Sequence, residues 1–322
     1  MGERIRAPDP ARLADVAREL LAGTTLSAAE TAKYLERAHS PDYWRALAPE
    51  LNVALPCDMG PVENLAANAF SQVSESAQRC GYIHLANAFP RSLTDRMRKG
   101  VELLAGAGWP PVFSFVYDEF WRISRTETAL GLLKDLLGPG SRQIPHIWTY
   151  CINPRRGAHG WAPHVDGSGR NEQMGRFTFW IPLTDATLDN GCIHVVPRDF
   201  VARDLAETFG ARATFTNPET RGLLQSSRPL PAKAGDLLGW GFDVIHWGST
   251  CSGSGSPRIS VSLEFISSEQ VPLPHEEPLL ELAGDPPSFE DRLKMISRAL
   301  LEYERFEPVS GARFKNLAKA LR

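Results

Sequence analysis

From Pro111 onward the chain is cut into short apolar or alternating runs separated by Gly, Pro and Asn, and no other feature limits its fold as strongly. The runs are Val112–Val116, Ile144–Ile152, Phe177–Leu183, Cys192–Val196, Asp236–Trp240 and Ile259–Ile266. Strands in quick succession with turn signals between them predict a β-sandwich or barrel. Tyr82-Ile83-His84-Leu85 predicts one strand ahead of them. Glu127 to Leu137 is a helical interruption ended by Gly138-Pro139-Gly140.

The chain before residue 81 reads as helical. Asp9-Pro10 is a helix-start signal, with Leu13, Val16, Ala17, Leu20 and Leu21 at helical spacing behind it. Ser27 followed by Glu30 resembles a capping box, opening a helix through Tyr34, Leu35 and Ala38. Pro41, Pro49 and Pro56 break the next stretch into loops. A helix from about Val62 to Gln78 stops at Gly81, and another spans Ser92 to Leu104. The tail from Ser288 to Tyr303 is a further helix, with Leu293, Ile296, Leu300 and Leu301 on one face. The expected organisation is a helical extension over 1–80, a β core over 81–270 and a helical C-terminal segment over 271–322, packed as one structural domain.

Composition excludes several classes. A net charge of -3 gives no general attraction to nucleic acid or an anionic membrane. No apolar run approaches the roughly 20 residues that span a bilayer. Met1 to Pro10 has Arg4 and Arg6 but no apolar stretch behind them, unlike a secretory signal. The five cysteines form no C-x-x-C pair and read as reduced thiols of a cytoplasmic protein.

Within the β-like region, His164-Val165-Asp166 places two metal-ligating side chains two residues apart. In an extended segment both point to the same side. Gly160, Pro163, Gly167 and Gly169 flank the triplet, and His246 lies in a second strand-to-loop passage, Asp243 to Gly248. Two imidazoles and one carboxylate hold a non-haem ferrous ion by one face and leave the other positions open. Arg258, a short way beyond, offers an always-charged fork for a dicarboxylate co-substrate. These residues point to dioxygen activation with 2-oxoglutarate. Of the other histidines, His39, His84, His159 and His275 read as structural, and His146 and His194 as strand residues in the core or supporting the site.

Between Gly81 and Ile266 the sequence resembles the phytanoyl-CoA dioxygenase-like branch of the Fe(II)/2-oxoglutarate oxygenases. Gly81 to Leu85 is similar to the family's opening strand and Trp161 to Asp166 to its metal motif. Phe179 to Ala186, Asn190 to Pro197, Lys233 to Asp236 with His246, and Arg258-Ile259-Ser260 match its later motifs in order. The resemblance implies a double-stranded β-helix, a jelly-roll or cupin-like barrel: a mainly β fold with surrounding helices. It makes His164, Asp166 and His246 the iron ligands, with Arg258 on the distal carboxylate of 2-oxoglutarate and Ser260 supporting it. Pro197 is followed by Arg198-Asp199-Phe200 instead of the family's Gly-Ser-His.

The implied cofactors are Fe(II), 2-oxoglutarate as co-substrate, and dioxygen. The implied reaction hydroxylates, desaturates or otherwise oxidises a small molecule while 2-oxoglutarate becomes succinate. In related halogenases a small residue leaves room for chloride; here Asp166 fills that position. Thr149, Tyr150 and Asn153 are candidates for the proximal end of the co-substrate, with Thr149 carried forward. Trp148, Trp161, Trp180, Trp240 and Trp247 fall in or beside the expected strands, where core packing is the default. Trp180 and Trp161 have the best claim to the pocket, Trp180 as a co-substrate contact. Tyr117, Trp121, Arg122, Arg155, Arg156 and Arg176 are weaker candidates for meeting substrate. Two alternatives stay open: a cupin-type iron dioxygenase or isomerase without 2-oxoglutarate, and a non-catalytic β-barrel binding protein. Nothing in the residues selects a substrate or an oligomeric state.

Overall fold

The run Arg258–Ile266 alternates polar and apolar side chains, and the principal sheet is assembled around it. In the computed structural model, which describes residues 25–54, 67–167, 175–201, 222, 224–305 and 308–322, this run is the strand β8. It pairs antiparallel with β2 (Arg142–Ile152) on one side and β3 (Arg176–Pro182) on the other. β3 continues to β6 (Leu237–Gly241), and β6 to β1 (Tyr82–Leu85), giving a five-stranded sheet in the order β1-β6-β3-β8-β2. A second antiparallel sheet has the order β5-β4-β7, from Arg228–Leu230, Ile193–Val196 and Ile245–Gly248.

The period-2 alternation of the strands sorts the large sheet into two faces. Ile259, Val261, Leu263 and Phe265 join Phe177, Phe179 and Ile181 in the main apolar cluster. Against them pack Leu93, Met97 and Val101 of a helix at Arg91–Gly106, and Leu293, Ile296 and Leu300 of one at Phe289–Glu302. Fully burying each such side chain contributes roughly 1.5–3 kcal/mol. On the opposite face Trp180, Leu238 and Trp240 meet Ile193, Val195 and Leu230 of the small sheet. The polar residues of β8 point to this side and line a cleft there.

Numbered in order, the helices are α1 (Ala28–Ala38), α2 (Pro41–Leu47), α3 (Ala67–Cys80), α4 (Arg91–Gly106), α5 (Glu119–Arg122), α6 (Glu127–Leu137), α7 (Phe289–Glu302) and α8 (Pro308–Ala320). α1 has the expected capping box: Ser27 Oγ accepts from Glu30 N at 3.2 Å, and Ser27 N donates to Glu30 Oε2 at 2.8 Å. α3 ends at Gly81, whose φ of 82° suits glycine.

Several expectations are corrected. The chain is mixed α/β rather than mainly β, because α4 alone has 16 residues while the longest strand has 11. The expected open barrel of two antiparallel sheets is not among the corrections: no barrel closes among the described residues, where β1 and β2 are edges of one sheet and β5 and β7 of the other. Val112–Val116 is not a strand but part of a buried 3₁₀ turn, Pro111–Val116, started by consecutive prolines. Pro41 opens a helix instead of breaking one, since a first-turn proline lacks only a hydrogen bond that no helix makes there. β5 and α8 were not expected. The helix through Leu13 to Leu21, Pro56, the start of the Val62–Gln78 helix, Cys57 and Gly169 lie outside the described residues. Cys80, Cys151, Cys192 and Cys251 are free thiols. No helix among the described residues is long and apolar enough to cross a membrane.

Candidate active site

His164 and His246 are brought together by a two-way backbone bridge: His164 N donates to His246 O at 3.0 Å, and His246 N to His164 O at 2.9 Å. Their rings lie 4.3 Å apart between centroids. Each Nδ1 faces a carbonyl two residues upstream, Ala162 O at 2.7 Å and Val244 O at 3.0 Å. That contact fixes the ring orientation and leaves Nε2 facing inward. Both Nε2 atoms converge on one oxygen, Asp166 Oδ1, at 3.6 Å and 3.5 Å.

The other carboxylate oxygen is already occupied. Asp166 Oδ2 accepts from Thr178 Oγ1 at 2.7 Å and from Trp240 Nε1 at 2.9 Å. One ligand atom from each residue lies within 4.8 Å of the others. His164 Nε2 is buried and makes no hydrogen bond. Two imidazoles, one carboxylate and an unsatisfied inward nitrogen fit a divalent first-row metal held by one face. Burial holds the His246 imidazole down to about 4, so it is neutral and ligand-ready at pH 7. Burial alone would raise Asp166, but His246, His164, Thr178 and Trp240 together bring it below the usual carboxylate range.

Trp240 braces two of the three candidate ligands, since its ring also packs on His246 with centroids 4.3 Å apart. Trp240→Phe keeps the ring contact and removes the Nε1 donor. Such an outer hydrogen bond typically changes metal affinity by about 10–100-fold, so the variant is expected to bind Mn(II) at least about tenfold more weakly. Equal affinity in an equilibrium titration would contradict this role for Trp240.

Arg258 lies in the same cleft, 2% exposed. Its Nη1 donates to Gly191 O at 2.6 Å, and Nε is buried without a partner. No carboxylate lies within ion-pair distance of it among the described residues. The guanidinium sits over the rings of Trp180 and Tyr150, 5.4 Å and 5.5 Å from their centroids. Burial lowers its pKa to about 10, which leaves it charged at neutral pH. Gly248 makes room for it: a Cβ there would lie 2.7 Å from Gly160 Cα and 3.3 Å from Arg258 Nη1. A buried cation with an unused donor is a site for an anion.

The remaining candidates separate by strand parity. Trp180, Ser260, Trp148, Tyr150 and Trp161 line the cleft, which measures about 640 Å³. Thr149 does not, and its expected role is corrected: it points to the opposite face of β2, where its hydroxyl meets Ser114 Oγ at 2.7 Å. Tyr150 is the one of the three proximal candidates that faces the cleft. Tyr117 and Trp121 are buried in the core, bonded to the carbonyls of Trp44 and Phe115. Arg176 is spent on Glu276, with bonds of 2.6 Å and 2.8 Å. Arg155 and Arg156 are exposed, and Arg122 pairs with Asp285. The Arg198 departure has a structural use: Arg198 grips Asp243 through two bonds of 2.6 Å, bracing the approach to His246.

Sequence reasoning missed Thr178, Ser262, Glu264 and Tyr303, left Trp240 to the core and placed His146 in the core or in support of the site; all six line the cleft. Ser262 and Glu264 were within reach, because Arg258, Ser260, Ser262 and Glu264 alternate along one strand. His146 Nδ1 contacts Glu264 Oε2 at 2.9 Å, and its Nε2 contacts His275 O at 3.2 Å. An imidazole with both nitrogens on acceptors is protonated on both. Burial opposes that charge, yet Glu264 raises His146 to about 9. The folded state therefore keeps a proton that the unfolded chain releases. This stabilisation is full below about pH 6.5 and is lost as pH rises through about 9. His146→Gln should flatten the fall of the urea midpoint between pH 7 and 10, whereas parallel falls in both proteins would rule the pair out as its source.

Residues 112–260 match the model of the phytanoyl-CoA dioxygenase family, PhyH. That segment of the chain is similar to the phytanoyl-CoA dioxygenase-like family. The matched segment carries His164, Asp166 and His246, which could hold a metal ion, together with Arg258 and Ser260; Ser262, Glu264 and Tyr303 lie beyond it. No curated protein sequence matches this PhyH-like chain. Among solved structures it is similar to SnoN, the non-heme alpha ketoglutarate dependent epimerase from nogalamycin biosynthesis, at 18% identity and TM-score 0.51 over 69% of this chain and 94% of that one. It is similar to the non-heme monooxygenase ThoJ in its nickel complex at 15% identity and TM-score 0.53, over 74% and 99%. EctD from S. alaskensis with 2-oxoglutarate and 5-hydroxyectoine matches at 15% identity and TM-score 0.50, over 74% and 96%. At these identities the likeness is one of fold.

Proposed function

We propose that this protein is an Fe(II)- and 2-oxoglutarate-dependent oxygenase of a small molecule, and that its two sheets are the halves of a double-stranded β-helix. Residues 81–270 would form that oxygenase core, with 1–80 and 271–322 packed on it. The observation that carries the reading is Arg258, a buried guanidinium with no carboxylate partner among the described residues, in the same cleft as a convergent His-Asp-His set. A metal site alone would serve a cupin-type enzyme equally well. A metal site plus an unpaired buried cation calls for a carboxylate co-substrate. SnoN and EctD, described with alpha-ketoglutarate or 2-oxoglutarate, support the same choice.

His164, Asp166 and His246 would hold the ferrous ion, and Arg258 with Ser260 would hold the distal carboxylate of 2-oxoglutarate. When bound, this pair supplies oxygen activation coupled to decarboxylation, giving succinate and carbon dioxide and one oxygen atom for the substrate. The chain's own contribution is orientation and exclusion of water. Asp166 stays ionised because its neighbours stabilise the charge, and it presents a single oxygen because Thr178 and Trp240 hold the second. With that carboxylate in place the ligand set leaves no room for a halide, which favours hydroxylation or desaturation. Trp180 and Tyr150 sandwich Arg258 in a low-dielectric setting where its pairing with a carboxylate is strong.

Anaerobic titration with Fe(II) and then 2-oxoglutarate should produce the weak visible charge-transfer band of the bound chelate, and oxygen should then release succinate. Failure of both would dispose of the proposal.

A further inference from the structure

The metal and co-substrate residues leave a second polar group in the cleft without an assigned task. Glu264 is gripped through Oε2 by His146, while its Oε1 has no protein partner among the described residues. Ser262, two residues back along the same face, likewise offers an unbonded hydroxyl to the cleft. Beside them stands an aromatic wall. Tyr303, in the turn after α7, lies 4.6 Å from Trp148 and 5.2 Å from Trp161 between centroids, and Trp161 in turn lies 5.7 Å from His164. The wall therefore leads from the C-terminal segment to a metal ligand.

Among the described residues that line the cleft, the charges pair off without a substrate once a metal and co-substrate are bound. A divalent metal and Arg258 match Asp166 and a dicarboxylate co-substrate. His146 matches Glu264, and Arg298 lies 3.9 Å from Glu302. A charged substrate would leave a buried imbalance, which is costly. A neutral one would need only to cover the aromatic surface and satisfy Glu264 Oε1, an acceptor that calls for a donor.

We infer that the cleft takes a neutral, ring-bearing substrate that lies against Trp148, Trp161 and Tyr303 and donates a hydroxyl hydrogen bond to Glu264. Glu264, oriented by His146, and Tyr303 then determine specificity. The inference rests on the metal and 2-oxoglutarate reading of the site, and it adds the substrate class. Glu264 and Tyr303 lie outside the segment that matches the family model, so this selection rests on residues beyond that match.

The test is calorimetric binding of three probes to the anaerobic protein loaded with Fe(II) and 2-oxoglutarate: 2-naphthol, 2-methoxynaphthalene and the 2-naphthylmethylammonium cation. 2-Naphthol is expected to bind about tenfold more tightly than the ether, the effect of one hydrogen bond to a charged acceptor, with the cation no better than the ether. Glu264→Gln should shrink the naphthol-to-ether ratio to about twofold, and Tyr303→Ala should weaken both probes alike by a few-fold. An ether as tight as the naphthol, a cation that binds best, or no naphthol binding at millimolar concentration would each overturn the inference; none depends on how a variant folds. Repeating the titration without metal and co-substrate separates the two readings. Naphthol selectivity in a protein that forms no Fe(II)–2-oxoglutarate chelate would sink the oxygenase proposal alone. A chelate without selectivity would sink this one alone.

Discussion

His246→Ala is expected to abolish stoichiometric metal binding and to reduce turnover to background. The three candidate ligand atoms lie within 4.8 Å of one another, and His246 is 5% exposed, so removing its inward nitrogen leaves two protein donors at the site. Two ligands cannot define one face of an octahedral ion. The loss should also be visible without any substrate. A metal that binds only the folded state at 100 times its Kd adds about 2.7 kcal/mol of stability, which the variant should forfeit. The measurement is metal content after dialysis, together with the melting temperature with and without Mn(II). A variant that retains one equivalent of metal and the full thermal shift would remove His246 from the site.

How much of this was legible before the structure depends on the kind of signal each residue gave. The His164-Val165-Asp166 triplet needed only strand parity to converge, and the bridge from His164 to His246 supplies the rest. Thr149 shows where parity fails. Alternation says that every second residue shares a face, not which set faces the cleft, and β2 carries an irregularity between Ile144 and Ile147 that resets the count. Val112–Val116 shows a different limit. It is buried throughout, and a short apolar run bounded by proline has no period that separates a strand from a packed turn. Tyr303 carried no signal at all. It reaches the cleft because α7 packs beside β2 and ends next to Trp148 and Trp161, a consequence of tertiary packing rather than of any local pattern. Glu264 lay between these cases: the alternation from Arg258 was visible, but a glutamate on an edge of the motif reads as solvated until the facing sheet is known to be there.

Arg258→Met is expected to separate co-substrate binding from stability, with opposite signs. Taking away one partner of a buried ion pair typically costs about 3–5 kcal/mol, so the 2-oxoglutarate requirement should rise by about two to four orders of magnitude while Mn(II) binding persists. Arg258→Lys should recover little, because an ammonium cannot reproduce the planar fork lodged between Tyr150 and Trp180. Without co-substrate the balance reverses. The native guanidinium is then a buried charge with no counter-ion, held by one bond to Gly191 O and depressed by burial to about 10. Its desolvation penalty of several kcal/mol exceeds the roughly 1–3 kcal/mol at stake in that bond, so the methionine variant should melt no lower than the native protein in the absence of 2-oxoglutarate. Adding 2-oxoglutarate with Mn(II) should stabilise the native protein further than Mn(II) alone and leave the variant unmoved. A variant that melts well below the native protein and keeps its co-substrate dependence would mean that Arg258 is a packing residue, and the buried cation would then have to be explained by the fold instead of by the ligand.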